Sequence, residues 1–217
     1  MPATTTPSPE SAARGRRTPR ASGDERERAI LATAERLLED GPLSEISVED
    51  LARGAGISRP SFYFYFPSKD AVLLTLVERV VDEAAANRQE ALALLSEDPR
   101  AGWHRGLQAS FEAFSSRRGV VLAAAELRTT NAEARELWSQ VMEGWVADAT
   151  AIVDAERARG AAPPGPPARE LATVLVQMNE RAHYATLSGE SPSLDAAGLA
   201  DVLVEVWMRA IYGAAAA

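Results

Sequence analysis

Residues 56–70 read Gly-Ile-Ser-Arg-Pro-Ser-Phe-Tyr-Phe-Tyr-Phe-Pro-Ser-Lys-Asp, a stretch with five consecutive aromatic side chains. A glycine turn before the aromatic run and a Pro-Ser pair after it indicate a helix of about two turns. The side chains of so short a helix point around its whole circumference, so they cannot all be buried. We therefore expect part of this aromatic run to face a partner of the protein.

Helical spacing divides the run into buried and exposed positions. With Ser58 as the N-cap, Phe62 and Phe66 lie one turn apart on the same face and are the expected core anchors. Upstream, residues 47–50 (Ser-Val-Glu-Asp) have the form of an N-capping sequence for another short helix that ends near Gly54. Two short helices joined by a glycine-containing turn form a helix-turn-helix.

The second helix of a helix-turn-helix enters the major groove of DNA, while hydroxyls, basic groups and amides hold the phosphates. Lys69 is the only lysine of the chain, and it follows the N-cap candidate Ser68, where a helix N-terminus also favours phosphate. The alternative interpretation is an aromatic cluster that serves only as core. We predict duplex DNA binding, and the residues expected at the DNA are Ser47, Ser58, Arg59, Pro60, Ser61, Tyr63, Phe64, Tyr65 and Lys69.

These residues carry a family resemblance. Residues 24–75 resemble the N-terminal domain of the TetR family of bacterial repressors, whose signature is Gly-x-Ser-x-x-(small)-hydrophobic-Tyr-x-(His/Tyr)-Phe-x-x-Lys-(Asp/Glu). Every position of that signature matches. Over nearly its full length, including residues 16–18, 154–157, 178–181 and 211–213, the chain is similar to an actinobacterial repressor of this family that controls a neighbouring flavin monooxygenase gene.

The resemblance implies a ligand-responsive repressor of the TetR type that controls a nearby monooxygenase-like gene and leaves its operator when an apolar small molecule binds. Two alternatives stay open. The chain could regulate an unrelated gene, or it could be a helical small-molecule-binding module that does not bind DNA.

Composition excludes several other classes of protein. The chain has 217 residues, no cysteine and a formal net charge of −8, so disulfides and thiolate chemistry are absent. No apolar run approaches the roughly 20 residues that span a bilayer, and the first 22 residues lack the apolar segment of a signal peptide. We therefore expect a cytoplasmic protein with no membrane partner.

Periodicity predicts an all-α fold in three parts. Residues 1–22, with four arginines between positions 14 and 20, are expected to be a disordered Arg-rich arm, which is either a solvated tail or a further DNA contact. Residues 23–67 form the helix-turn-helix domain, and residues 68–217 form a larger helical domain for ligand binding and dimerisation. Beyond the helix-turn-helix, the predicted helices are 24–40, 68–95, 100–117, 119–129, 131–159, 168–188 and 196–212.

Aromatic residues of the larger domain recur at helical spacing, with Trp138, Met142 and Trp145 on one helix face. Such stripes usually indicate packing alone. The resemblance implies instead a mostly apolar tunnel for a small molecule, and the residues expected to line it are Trp103, Phe114, Trp138, Met142, Trp145, Asn179, Tyr184 and Trp207.

Several positions depart from the relative that the chain resembles. Ser110, Val141 and Asp148 stand where that relative has aromatic residues, and Tyr184 replaces a phenylalanine, so we expect a wider and more polar pocket. The amide of Asn179 requires hydrogen-bond partners when buried, and it could orient a carbonyl or an amide of the ligand.

The sequence does not support an enzyme. It has two histidines, His104 and His183, and it lacks a His-Glu-x-x-His motif, a phosphate-binding loop and a nucleophile elbow. No cluster of metal-ligating residues is recognisable, so neither a metal nor a cofactor is expected.

The last two predicted helices carry more Leu, Val and Met than one small domain can cover, and we expect them to form a homodimer. The residues expected at this interface are Leu171, Val174, Leu175, Met178, Leu199, Val202, Leu203, Val206 and Ala210. Such a dimer would place two recognition helices on a pseudo-palindromic operator, and a ligand would change their spacing through the helix 68–95.

Overall fold

The computed structural model describes residues 23–213, apart from the side chains of residues 88–93, and in this range it is all-α, as predicted. The helices are α1 (Gly23–Asp40), α2 (Val48–Gly54), α3 (Arg59–Tyr65), α4 (Lys69–Leu92), α5 (Pro99–Ser115), α6 (Arg118–Leu127), α7 (Ala132–Ala158), α8 (Ala168–Ser188) and α9 (Ala196–Tyr212). Over that same range, no helix has both the length and the apolar character needed to cross a bilayer. The predicted arm, residues 1–22, lies outside the described residues.

Helices α1 to α3 form a small head. Helix α2 begins with a capping box. The Ser47 hydroxyl accepts a hydrogen bond from the Asp50 amide at 3.1 Å, and the Asp50 carboxylate accepts one from the Ser47 amide at 3.1 Å. Gly56 turns the chain toward α3 with a φ of +67°, a conformation that favours glycine. The Ser58 hydroxyl then caps α3 by accepting from the Ser61 amide at 3.3 Å.

Helix α4 connects the head to a body formed by α5 to α9. The Ser68 hydroxyl caps α4 by accepting from the Ala71 amide at 3.1 Å. The helix was predicted to continue to residue 95, but it ends at Leu92 and tightens into a 3-10 helix, Ala93–Ser96. A proline at position 99 disfavours α-helical backbone immediately before it, and a 3-10 turn satisfies carbonyls at a helix end.

In the part of the chain that the structure describes, the protomer contains two apolar cores. One core joins the head to α4, α5 and α6, and it contains Phe62 and Phe66. The other lies among α5, α7, α8 and α9. Helix α5 packs along α4 on one side and along α9 on the other, while α7 packs on α8. The space between these helices is where a cavity can form.

Part of the predicted dimer interface is wrong, because several of its residues belong to the second core. Leu175, Leu199 and Leu203 are almost fully buried inside the protomer, because α8 and α9 turn these side chains toward α5 and α7. Their side chains are therefore not available to a second copy. Val174, Val202 and Val206 remain exposed, at 64%, 48% and 38% of their surface, on the same two helices.

The start of α6 packs closely against the head helix α1. At Gly119 an added Cβ would lie 2.6 Å from the carbonyl carbon of Leu38 and 2.9 Å from the nitrogen of Glu39, so only glycine fits against α1. The Gly119 amide donates to the Glu39 carboxylate at 3.1 Å. Next to it, Arg117 pairs with Glu35 of α1 at 3.2 Å and with Glu83 of α4 at 2.5 Å.

Candidate DNA-binding surface and ligand cavity

The head presents one face of α3 to solvent. Phe62 is fully buried and Phe66 nearly so, which confirms them as the core anchors. Phe64, in contrast, is 84% exposed and Tyr63 is 48% exposed. An exposed phenylalanine ring contributes little burial free energy to the fold of its own chain, so the exposed rings of α3 are available to a partner.

Polar groups surround these exposed rings. Ser58, Arg59, Pro60 and Ser61 are all exposed in the first turn of α3. The neighbouring Tyr63 side chain raises the pKa of Arg59 above its ordinary value. A guanidinium is in any case a cation at every physiological pH.

Two residues at the edges of this face complete the predicted set. The exposed Ser47 lies at the start of α2. Tyr65 is half-buried, packs on the core and meets the ring of Phe64 edge-on at 5.4 Å.

Lys69 has a structural contact that the sequence did not indicate. Its ammonium donates to the carbonyls of Leu43 and Ile46, at 2.7 and 2.8 Å, and so ties the start of α4 to the loop between α1 and α2. An ammonium has three N–H groups, so one remains for a phosphate. The contact was not predictable from spacing, because the two partners are backbone carbonyls 26 and 23 residues away.

Helices α4 to α9 together surround an apolar cavity. Its volume is about 1120 Å³, including the part that opens to solvent. The α8 part of the wall runs from Val176 to Leu187, a length of about 16 Å at about 1.5 Å per helical residue. The cavity is therefore long enough for an elongated molecule.

Most residues predicted to line the tunnel lie in this wall. The structure brings together Trp103, Phe114, Trp138, Trp145, Asn179, Tyr184 and Trp207. Ser110 and Asp148 also belong to the wall.

Met142 was predicted in the wall and does not belong to it, and neither does Val141. Met142 packs against the second core instead.

Three polar wall residues were not recognised from the sequence. Arg128 pairs with Glu180 at 2.8 Å, and its guanidinium also lies over the ring of Trp138, 4.9 Å from the ring centre. His183 is buried beside the ring of Phe111, at 5.2 Å, and burial lowers its pKa to about 4, so the imidazole is neutral near pH 7. The available signal was the helical spacing of Glu180 and His183 with the predicted wall residues of α8.

The side chain of Asn179 accepts a hydrogen bond from a tryptophan. The indole nitrogen of Trp207 donates to the amide oxygen of Asn179 at 3.0 Å. The ring of Trp207 in turn packs on the ring of Trp103, with ring centres 4.4 Å apart. Both rings are almost completely buried, so this end of the cavity has a rigid aromatic wall.

Comparison with known proteins gives the family. The head matches the family model for bacterial regulatory proteins of the tetR family over residues 30–76, and the body matches the model for the C-terminal domain of the transcriptional regulator EthR over residues 103–213. The chain belongs to the TetR family.

Named relatives of this TetR-family chain cover almost all of it. The HTH-type transcriptional regulator EthR of Mycobacterium tuberculosis is 55% identical over 205 residues, which is 92% of this chain and 93% of the relative. EthR of Mycolicibacterium smegmatis is 46% identical over 200 residues, 92% of each chain. A solved transcriptional regulator from Saccharomonospora viridis, in complex with choline, shares the fold with a TM-score of 0.69 at 22% identity, covering 86% of this chain and 96% of that chain.

These findings establish a TetR-type transcriptional regulator with a helix-turn-helix head. Proteins of the TetR family bind DNA and typically act as dimers. Since the relatives are transcriptional regulators, the prediction that the chain is not an enzyme is confirmed.

Proposed function

We propose that this TetR-type regulator is a ligand-responsive repressor that releases its operator when an apolar small molecule enters the body cavity. The observation that carries the proposal is the position of α6. Val120, Val121 and Ala124 of this helix line the cavity, while Gly119 and Arg117 at its start contact the head helix α1. A molecule that displaces α6 would therefore act directly on the head.

The second route between cavity and head is α4. Val77, Val80 and Val81 of α4 line the cavity, and its first turn follows the recognition helix α3. A ligand changes repression only through its different affinity for the operator-bound and released arrangements of the two heads. A molecule that bound both arrangements equally would leave repression unchanged.

The DNA-binding surface of the proposal is the exposed face of α3. Exposed aromatic rings, the Arg59 cation and the N-terminal hydroxyls of α3 supply apolar, ionic and hydrogen-bonding contacts to bases and phosphates. The remaining N–H group of Lys69 would add one phosphate contact. The Arg-rich arm, which lies outside the described residues, would follow the DNA backbone or enter the minor groove.

A homodimer through α8 and α9 would present two such heads to a pseudo-palindromic operator. The exposed Val174, Val202 and Val206 support this interface, because water-exposed apolar side chains on adjacent helices favour burial against a second copy. We place the protein in the cytoplasm with the chromosome, and we propose a nearby monooxygenase-like gene as the target because of the resemblance to the flavin monooxygenase repressor.

The chemistry of the cavity defines the effector. Rings and aliphatic side chains form most of the wall, so the effector would be an elongated apolar molecule. The amide of Asn179 supplies one oriented polar contact.

Operator binding by wild-type protein and three variants tests the proposed DNA surface. Arg59→Ala and Phe64→Ala are expected to lower affinity for the upstream region of the protein's own gene by about tenfold or more, because each removes one contact of the proposed surface. Arg169→Ala is the matched control, since that arginine pairs with Glu143 on the body surface. The measurement is fluorescence anisotropy of labelled duplex, with melting curves to show folding. Normal binding by both head variants would contradict the surface.

A further inference from the structure

The imidazole of His183 is a buried polar group in the wall of the cavity. Only 9% of the residue's surface is exposed, and the ring lies beside that of Phe111, with ring centres 5.2 Å apart. Among the residues that the structure describes, the imidazole has no hydrogen-bond partner and no ion pair. Its polar atoms are therefore left to whatever occupies the cavity.

Other polar side chains of the wall already have partners in the protein. Arg128 and Glu180 pair with each other at 2.8 Å. The hydroxyl of Ser110 donates to the carbonyl of Gly106 at 2.9 Å. A buried polar group without a partner carries a free-energy penalty, so a ligand that supplies a partner to His183 gains affinity.

The protonation state of the imidazole defines that partner. Burial lowers the pKa of His183 to about 4, so near pH 7 the ring has one N–H donor and one acceptor nitrogen. A ligand hydroxyl both donates and accepts, and it can therefore pair with either nitrogen, whichever tautomer is present. A methyl group of nearly the same size can do neither.

His183 also lies close to the helix that contacts the head. Leu187, one turn further along α8, lines the cavity as well, and its carbonyl accepts from the guanidinium of Arg118 in α6 at 2.6 Å. The preceding residue, Arg117, pairs with Glu35 of the head helix α1. A ligand group held at His183 would therefore lie beside the proposed route from cavity to head.

We propose that His183 is a specificity-determining residue, which makes the cavity prefer elongated apolar effectors that carry a hydroxyl group over hydrocarbons of the same shape. This inference rests on the proposed ligand-responsive function. A hydroxyl that leaves water for an apolar wall loses its hydrogen bonds, and this loss weakens binding unless the wall supplies a partner. The imidazole of His183 is that partner.

Matched pairs of biphenyls test the proposal. The probes are 2-, 3- and 4-phenylphenol, each compared with the methylbiphenyl of the same substitution, so that one hydroxyl replaces one methyl group at three positions. Affinities for the full-length protein are measured by isothermal titration calorimetry near pH 7, and release of operator DNA is followed by anisotropy. For at least one pair, we expect the ratio of hydroxyl to methyl affinity to be about tenfold higher in the wild type than in His183→Leu.

Two further variants show whether the polar atoms of His183 cause this preference. His183→Gln keeps a donor and an acceptor, so it should retain most of the hydroxyl preference that His183→Leu removes. His104→Leu is the matched control, because it replaces the histidine that pairs with Asp201 outside the cavity wall, and it should keep the wild-type ratio. If His183 only fills space, both replacements will change hydroxyl and methyl probes equally, and the proposal is then wrong.

Nitrogen NMR of the imidazole gives a direct signature of the contact. The chain has two histidines, so His104 serves as an internal reference for His183. The favoured phenylphenol should shift a ring nitrogen of His183 in the direction expected for a new hydrogen bond, and its methyl counterpart should not. Equal shifts with both probes would contradict the contact.

The hydroxyl preference and the release of DNA can fail separately. If the probes bind and release DNA but all three ratios are the same in wild type and His183→Leu, the role of His183 is wrong and the ligand-responsive function stands. The role of His183 is also wrong if Asn179→Leu removes the preference and His183→Leu does not. Probes that bind in the expected ratio without releasing DNA would support His183 and contradict the proposed function. If no probe binds and none releases DNA, both are overturned.

Discussion

His183 makes the stability of the protein depend on pH. Burial lowers its pKa to about 4 in the folded protein, whereas an unfolded histidine has a pKa near 6.5. Between these two values the unfolded state binds more protons, so the free energy of unfolding falls as pH falls from about 6.5 toward 4. The pKa difference corresponds to a loss of about 3 kcal/mol at the acid end of this range.

Replacing the buried imidazole tests this dependence. His183→Gln is expected to reduce the fall in melting temperature between pH 7 and pH 4.5, because glutamine takes up no proton. The measurement is thermal unfolding followed by circular dichroism at both pH values. His104→Gln, on the partly exposed histidine that pairs with Asp201, should leave the His183 contribution intact. An equal fall in melting temperature for wild type and His183→Gln would refute the assignment.

At the residue scale, sequence alone separated the buried rings of α3 from the exposed ones, because helical geometry determines which side each residue occupies. It could not place Lys69, whose two acceptors are carbonyls of a distant loop. Nor could it exclude Met142 from the cavity wall, since that residue shares a helix face with the wall residues Trp138 and Ala149 and is instead packed against the second core. Such details depend on tertiary partners that spacing does not reveal.

At the scale of elements, most helix ends were predictable because each cap is a local interaction. Asp98, Asn131 and Asp195 each accept a hydrogen bond from the amide three residues later, at 3.0, 3.1 and 2.7 Å. The cavity was not predictable from periodicity, because apolar stripes look alike whether they face core or empty space. Only the family resemblance indicated a cavity.

Gly119 tests the contact between α6 and α1. In Gly119→Ala the added methyl group would overlap the backbone at Leu38, and overpacking of this kind costs about 1–3 kcal/mol. We expect a lower melting temperature and altered operator affinity, because the backbone of α1 must move. Thermal unfolding and anisotropy measure the two effects.

Gly144→Ala is the matched control for this substitution. Gly144 lies within α7 with nothing inside 4 Å of an added Cβ, so alanine should raise stability by about 0.5–1 kcal/mol through helix propensity alone. If both alanine variants are equally stable and bind DNA equally well, α6 is not tightly fitted to the head.

At the scale of the whole molecule, the proposed homodimer depends on apolar surface of α8 and α9 that the protomer leaves uncovered. Val202→Glu places a charge on the exposed part of α9 and is expected to give a folded monomer at micromolar concentration, with weaker operator binding because the two heads are no longer linked. Light scattering measures the mass. A charge at Leu203 would not test the interface, because that side chain lies in the protomer's own core and the charge would destabilise the fold.

Ala147→Glu adds the same charge to an exposed position of α7 and is the control for Val202→Glu. It should leave both mass and operator affinity unchanged. A Val202→Glu protein that still scatters as a dimer would show that the interface lies elsewhere on the surface.

The contact between Lys69 and the loop carbonyls also allows motion of the head to be followed by chemical labelling of this lysine. Lys69 carries the only side-chain amine in the sequence, and its nitrogen must leave the carbonyls of Leu43 and Ile46 before it can attack an acylating reagent. The rate of acylation at this one site, compared with that of the amino terminus, would therefore record how often the loop detaches from α4. No dye or engineered cysteine would be needed to follow the head as operator or effector is added.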